Sequence, residues 1–307
     1  MQSQKYFKKI AILLATYNGE KYIAEQINSL INQTIEDDID LFISDDGSND
    51  KTILIIKKLC LGTKIKIKKL LFTNYKNPFK NYLNLALNVP SNYDYYFFCD
   101  QDDIWYKKKI EISIKKIEQG IDLFVCNNFI FTQKKNIYYK NLRDNLFLFI
   151  LNNNIINGNM MCISNKLFKN FKKDIKIINY NHDHLLIIYA YIFNFKIFYS
   201  NKRLIFWRHH DNNFSVRRGI FETFLYRKNY FTNNLIKKNN NFIKNFFSSC
   251  KNKNFNKINL FLFKNFVKYK EFKLSFFYIS KFLDLKLKKT SAFNTFIFYI
   301  LYFMRKI

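Results

Sequence analysis

Glycine and proline are scarce in this chain, six and two among 307 residues, and acidic residues are outnumbered by basic ones, 23 to 51. Folding is not precluded: 49% of the residues are hydrophobic and 19% aromatic, enough for the core of one large domain or two smaller ones. The five cysteines, Cys60, Cys99, Cys126, Cys162 and Cys250, never form a CxxC pair. That scatter suggests reduced thiols in a cytoplasmic protein, with Cys99 and Cys126 filling strand cores. No apolar stretch reaches the length of a membrane-spanning helix. The short run Ile10–Ala15 follows lysines as a signal peptide would, but a Tyr-Asn-Gly-Glu turn stands where a cleavage site should be.

Two phosphate-binding signatures are also missing. Without GxxxxGK[ST] there is no P-loop, and without GxGxxG after the first strand a dinucleotide site is not expected. The net charge of +28 suggests nucleic acid at first sight. Arginine is scarce beside lysine, however, and no nucleic-acid reader motif is present, so nucleic acid is not an expected partner. Attraction to an anionic membrane surface, where lysines act as point charges, fits better.

What is present centres on Tyr95-Tyr-Phe-Phe-Cys-Asp-Gln-Asp-Asp-Ile-Trp105. Five apolar residues read as a buried strand, and three carboxylates, Asp100, Asp102 and Asp103, follow at its carboxyl end, where open α/β sheets bind ligands. Like charges so close need a cation or solvent. Mg²⁺ or Mn²⁺ shared with substrate phosphates is one solution, and a solvated acidic turn that caps the next helix is the other.

The chain around this stretch alternates strand and helix. Residues 9–14 read as a strand, 20–33 as a helix with Ile23, Ile27, Leu30 and Ile31 on one face, and 40–44 as a second strand. Asp45-Asp-Gly-Ser-Asn-Asp50 is a tight turn in which Ser48 or Asn49 would cap a helix running to about Cys60. A strand near 65–72, a helix around 79–87, the strand 95–99, a helix 107–119 ended by Gly120 and a strand 122–126 complete a parallel-type sheet. Polar turns therefore close three strands, at Thr16-Tyr17-Asn18, Asp45-Asp46 and Asp100–Asp103. A nucleotide along that sheet edge would meet all three.

Beyond this, Ile156–Ile163 looks like a strand with a Gly-Asn kink. All four histidines fall between His182 and His210, either as site groups or as helix caps and satisfied core donors. Residues 221–307 hold 18 basic and 3 acidic residues interleaved with Phe, Tyr and Leu. This helical region either lies in a membrane interface or packs on the remainder with its lysine stems covering apolar surface.

These segments, in order, resemble glycosyltransferase family 2, the inverting GT-A enzymes, and in particular its bacterial rhamnosyltransferase-like branch. The resemblance covers residues 9–215 through Ala15–Tyr22, Ile43–Thr52, Cys99–Trp105, Ile156–Met161, His182-Asp183 and Arg208–Asn213. It implies a Rossmann-like mixed α/β sheet as the GT-A catalytic domain over 1–219, with a donor-binding half to about 130, an acceptor-side half from 131, and a helical extension over 220–307. It also implies a UDP- or dTDP-linked sugar donor and Mg²⁺ or Mn²⁺.

Thr16, Tyr17, Asn18 and Glu20 would belong to the nucleotide-sugar site, with Asp46 accepting from the base and Asn81, Gln101 and Arg208 close to the donor. Asp100 would face the ribose or the metal, Asp102 and His210 would hold the metal, and Asp103 would cap the following helix. Asp183 would be the general base that takes the acceptor's proton. Where family members tend to carry Gly, this chain has Asp211. The expected acceptor is a glycan or lipid-linked sugar of bacterial surface polysaccharide, at the cytoplasmic face of the inner membrane. The competing reading is a metal-dependent phosphohydrolase using Asp100 and Asp102.

Overall fold

The computed structural model describes residues 7–132, 137–139, 156–177 and 181–210. The basic extension 220–307, Asp211 and Cys250 lie outside the described residues. Nine strands form one mixed sheet in the order β3-β2-β1-β4-β8-β6-β9-β5, with β7 paired to β6. The strands of the first half are β1 (Ile10–Thr16), β2 (Ile39–Asp45), β3 (Ile65–Phe72), β4 (Tyr95–Cys99) and the two-residue β5 (Ile104–Trp105). Those of the second half are β6 (Leu123–Thr132), β7 (Ile137–Tyr139), β8 (Met161–Ser164) and β9 (Ile197–His209). Between them run α1 (Ile23–Ile31), α2 (Thr52–Cys60), α3 (Pro78–Asn88), α4 (Lys109–Ile117), α5 (Asn165–Asp174) and α6 (His182–Ile192).

The apolar runs explain the order. Every residue of β1 and β4 is buried, as expected of central strands covered on both faces. β1 pairs in parallel with both β2 and β4. β3 lies at the margin, and its Lys-rich sequence IKIKKLLF is largely exposed after Ile65, the composition that keeps a free edge from pairing with another chain. β8 then runs antiparallel to β4 and β6, while β6 and β9 run parallel. The two expected halves therefore share one sheet.

Local differences from the sequence reading have plain causes. Ser48 and Asn49 do not cap α2. Its start is held by Asp50, whose Oδ1 accepts from the Thr52 amide at 2.9 Å, while the Ser48 hydroxyl donates to Asp45 Oδ1 at 2.6 Å. The expected strand over 156–163 is a 3₁₀ turn at Gly158–Met160 followed by β8. The 13-residue β9 went unpredicted, because its short apolar stretches, Ile197–Tyr199 and Leu204–Trp207, are split by the polar run Ser200–Arg203 and only Leu204 and Ile205 are buried. Gly47 and Gly120 do occupy left-handed backbone, at φ of +87° and +85°, where an L side chain is strained. Cys60, Cys99, Cys126 and Cys162 are all buried. Lys109 is buried as well, its Nζ 3.4 Å from the Trp105 ring centroid.

Candidate active site

The turns after β1, β2 and β4 meet at one sheet edge and are tied together by side chains. Thr16 is buried and its hydroxyl donates to Asp45 Oδ1 at 2.7 Å. Asn18 sits at φ +44°; its amide donates to the Ser48 hydroxyl at 2.8 Å, and its Oδ1 accepts from the Asn49 amide at 3.0 Å. Glu20 Oε2 accepts from the Lys51 amide at 3.0 Å, and its own amide donates to Asp50 Oδ2 at 3.0 Å. Gln101 brackets Tyr17, accepting from its amide and donating to its carbonyl, both at 2.9 Å. The Tyr17 ring is left half exposed. Thr16, Glu20 and Gln101 are thus braces between turns, and Tyr17 offers the open aromatic face.

Asp46 is buried, and its carboxylate receives the Thr73 hydroxyl at 3.0 Å and the amides of Tyr75 at 2.5 Å and Asn77 at 3.0 Å. It fixes the loop between β3 and α3. Asn81 is buried beneath that loop, its Nδ2 donating to the Ser44 carbonyl at 2.9 Å, its Oδ1 accepting from the Ser44 hydroxyl and lying 3.1 Å from the Thr73 oxygen. Its amide shapes this wall from beneath. The neighbouring Tyr82 hydroxyl lies 2.6 Å from both Asp100 Oδ1 and the Cys99 carbonyl. Burial, reinforced by the charge of Asp102, pushes the Asp100 carboxyl up to about 6.

Asp102 and Asp103 diverge. Asp102 Oδ2 lies 2.9 Å from His210 Nε2, and its carbonyl accepts from Arg208 Nε at 2.9 Å. Asp103 does not cap α4, whose first turn has no side-chain cap. It is fully buried, accepting from the Arg208 amide at 3.0 Å and bonded to Asn159. Burial and its two acidic neighbours raise its carboxyl well above the usual range. The Arg208 guanidinium is 2.9 Å from Glu25 Oε2 and stacks over Tyr22, which also packs on His210.

Asp183 stands in the first turn of α6, and its Oδ1 accepts from the His184 amide at 2.6 Å. Burial raises its carboxyl to about 7, against the pull of that hydrogen bond and of the Gly158 amide; the Asp100 charge adds to the rise. Burial also lowers the preceding His182 to about 3. The His182 ring stacks on Tyr82 at 4.1 Å, and neither of its nitrogens has a hydrogen-bond partner among the described residues. A Cβ on Gly158 would lie 2.5 Å from His182 Nε2, so only glycine fits. Asp183, Gly158, His182, Tyr82 and Asp100 therefore form one contiguous wall.

The residues suit a hard divalent ion in kind: a carboxylate and an imidazole, Asp102 and His210, already touch, with the Asp100 carboxyl beside them. Among the described residues no ready cage of three such groups exists, so remaining ligands would come from a substrate diphosphate. Glu25 and Tyr82 went unremarked in the sequence, and Tyr22 and Asn159 entered only as members of motifs, without a role. Each acts through a contact with a residue far along the chain, and no local pattern announces that.

The protein-family model described as glycosyl transferase family 2 matches residues 11–178. The chain is 34% identical over 224 residues to dTDP-rhamnosyl transferase RfbG of Shigella flexneri, spanning 65% of this chain and 72% of that one. Staphylococcus aureus TarS, a poly(ribitol-phosphate) beta-N-acetylglucosaminyltransferase, is 31% identical over 112 residues, 36% of this chain and 19% of that one. Solved structures share the fold. TarS in complex with UDP superposes with a TM-score of 0.54 at 20% identity, covering 66% of this chain and 61% of that one. The mannosyltransferase PcManGT of Pyrobaculum calidifontis, with GDP-Man and Mn²⁺, gives 0.51 at 14%, covering 74% and 63%. The chain spans a little over three fifths of each of these solved chains. The expected GT-A architecture is the one found.

Proposed function

The chain belongs to glycosyl transferase family 2, and we propose that it moves a hexose-type sugar, with inversion, from a UDP- or dTDP-linked donor to a glycan or lipid-linked acceptor. The observation that carries the reading is Asp183: a buried carboxyl in the first turn of α6, close enough to Asp100 to feel its charge and raised by burial to about 7. A carboxyl in that range is ionised in part at neutral pH and still basic enough to receive a proton.

In this reading Tyr17 receives the base, while Asn18, Glu20, Gln101 and Asp46 hold the turns around it. Asp102 and His210, with Asp100 beside them, would hold Mg²⁺ or Mn²⁺, and the ion would supply positive charge to the leaving diphosphate. Asp183 accepts the acceptor's hydroxyl proton as that oxygen bonds to the anomeric carbon. The bond from that carbon to the diphosphate oxygen breaks, and its electron pair leaves with the diphosphate. Arg208, engaged by Glu25, positions the Asp102 turn through the backbone carbonyl. Domain limits of 1–219 and 220–307, and a place in surface-polysaccharide assembly on the cytoplasmic side of the inner membrane, complete the proposal. Among the described residues no helix is long and apolar enough to cross a membrane.

The test is a panel of UDP- and dTDP-linked hexoses and deoxyhexoses with Mn²⁺ and a lipid-linked acceptor. A glycosylated product of inverted anomeric configuration supports the reading. Release of inorganic phosphate with no glycosylated product contradicts it.

A further inference from the structure

Charge is unevenly divided in the first half of the chain. Residues 7–50 carry nine acidic and three basic side chains, whereas residues 51–93 carry nine lysines and no acid. The second segment builds α2, β3 and α3, with β3 outermost in the sheet among the described residues. The exposed side chains of α2 and β3 are basic or apolar. On α2, the buried residues Thr52, Ile56 and Cys60 face the sheet, and Leu54, Lys57, Lys58 and Leu61 make an outward stripe at helical spacing, with Leu61 84% exposed. On β3, Lys66, Lys68 and Lys69 are exposed but engaged away from that stripe, Lys66 Nζ donating to the Thr63 carbonyl at 2.8 Å and Lys69 Nζ to Asn88 Oδ1 of α3 at 3.5 Å. Among the described residues, Asp40 is the one carboxylate that pairs with any of these lysines, through Lys68 at 3.6 Å.

An overall lysine-rich composition gives scattered lysines, not two leucines standing bare on either side of them along one helix face. A sheet edge guarded only against aggregation needs the lysines alone. Apolar side chains that dip into the headgroup boundary, flanked by ammonium groups that stay at phosphate level, are what a shallow bilayer contact requires. We propose that the outer face of α2 is a docking face for the surface of an anionic phospholipid bilayer, with Leu54 and Leu61 inserted and Lys57 and Lys58 on the headgroups. The contact does not depend on the transfer chemistry.

The test is co-sedimentation of the full chain with phosphatidylglycerol-containing vesicles and with phosphatidylcholine vesicles at moderate salt, with folding followed by circular dichroism. Lysines near an anionic surface contribute roughly 1 kcal/mol each, so K57E/K58E should lower the anionic-vesicle partition coefficient at least tenfold. L54S/L61S, which leaves charge unchanged, should lower it about threefold or more. The control K169E/K173E makes the same charge change on exposed lysines of α5 and should leave binding within twofold. Equal losses in the control, unchanged binding in both α2 variants, or no preference of the unaltered chain for anionic vesicles would each overturn the proposal.

Discussion

His210 Nε2 lies 2.9 Å from Asp102 Oδ2, across 108 positions of sequence. The contact joins the end of β9 to the turn after β4. Tyr22 packs on the imidazole and, with Glu25, engages Arg208 two residues earlier. A cation drawn between the two groups would replace their mutual hydrogen bond with two ligand bonds.

Metal and donor should therefore bind together. Mn²⁺ with UDP or dTDP should raise the melting temperature more than either alone, since ligand bound to the native state stabilises it. H210A and D102N should each weaken nucleotide affinity about tenfold in Mn²⁺, read by calorimetric titration, and have little effect in EDTA. Equal losses in both buffers would place these residues outside the metal site.

Asp103 should be a structural group that need not be charged. D103A strands the Arg208 amide and the Asn159 side chain and should cost about 3 kcal/mol in denaturant unfolding. D103N, neutral and of the same shape, should stay within about 1 kcal/mol of the parent. A D103N as unstable as D103A would mean that the ionised carboxylate is needed.

Gly158 should be irreplaceable while His182 is present. G158A drives a Cβ to 2.5 Å from His182 Nε2, at the start of the helix that carries Asp183. Overpacking of this kind costs about 1–3 kcal/mol, and kcat should fall at least tenfold. Adding H182A removes the clash, so G158A/H182A should recover kcat relative to G158A. No recovery would mean that the glycine serves the backbone alone.

The parallel half was legible because its apolar runs are long and their spacing is unambiguous: β3 spans 65–72 and β4 spans 95–99, the limits read from the sequence. Asp183 and Asp102 stood out as carboxylates in motif positions. The roles of Thr16, Asn81 and Asp103 were less visible, because an Asp or Asn that braces a turn and one that touches a ligand look alike in sequence. Only burial and partner geometry separate them. β9 escaped notice because nearly all its residues are partly or fully exposed, leaving no periodic apolar signal.

Burial of Asp183 should also leave a pH signature. Its folded-state carboxyl lies near 7, above the ordinary value of 3.8, so the folded state binds the extra proton. Its ionisation therefore lowers stability progressively as pH rises from about 4 to 7. D183N should melt above the parent at pH 8, and the advantage should shrink toward pH 4. In the parent, kcat/KM should rise with pH and level off above about 7. A flat profile, or a D183N that melts lower at pH 8, would argue against a buried, proton-accepting carboxyl.

The most direct measurement is the sugar-transfer rate of D183N beside its affinity for the same donor in Mn²⁺. The account predicts a rate lowered about 10³-fold, within the range for loss of a general base, with donor affinity within twofold of the parent. Transfer at a comparable rate, or donor binding lost along with transfer, would contradict it.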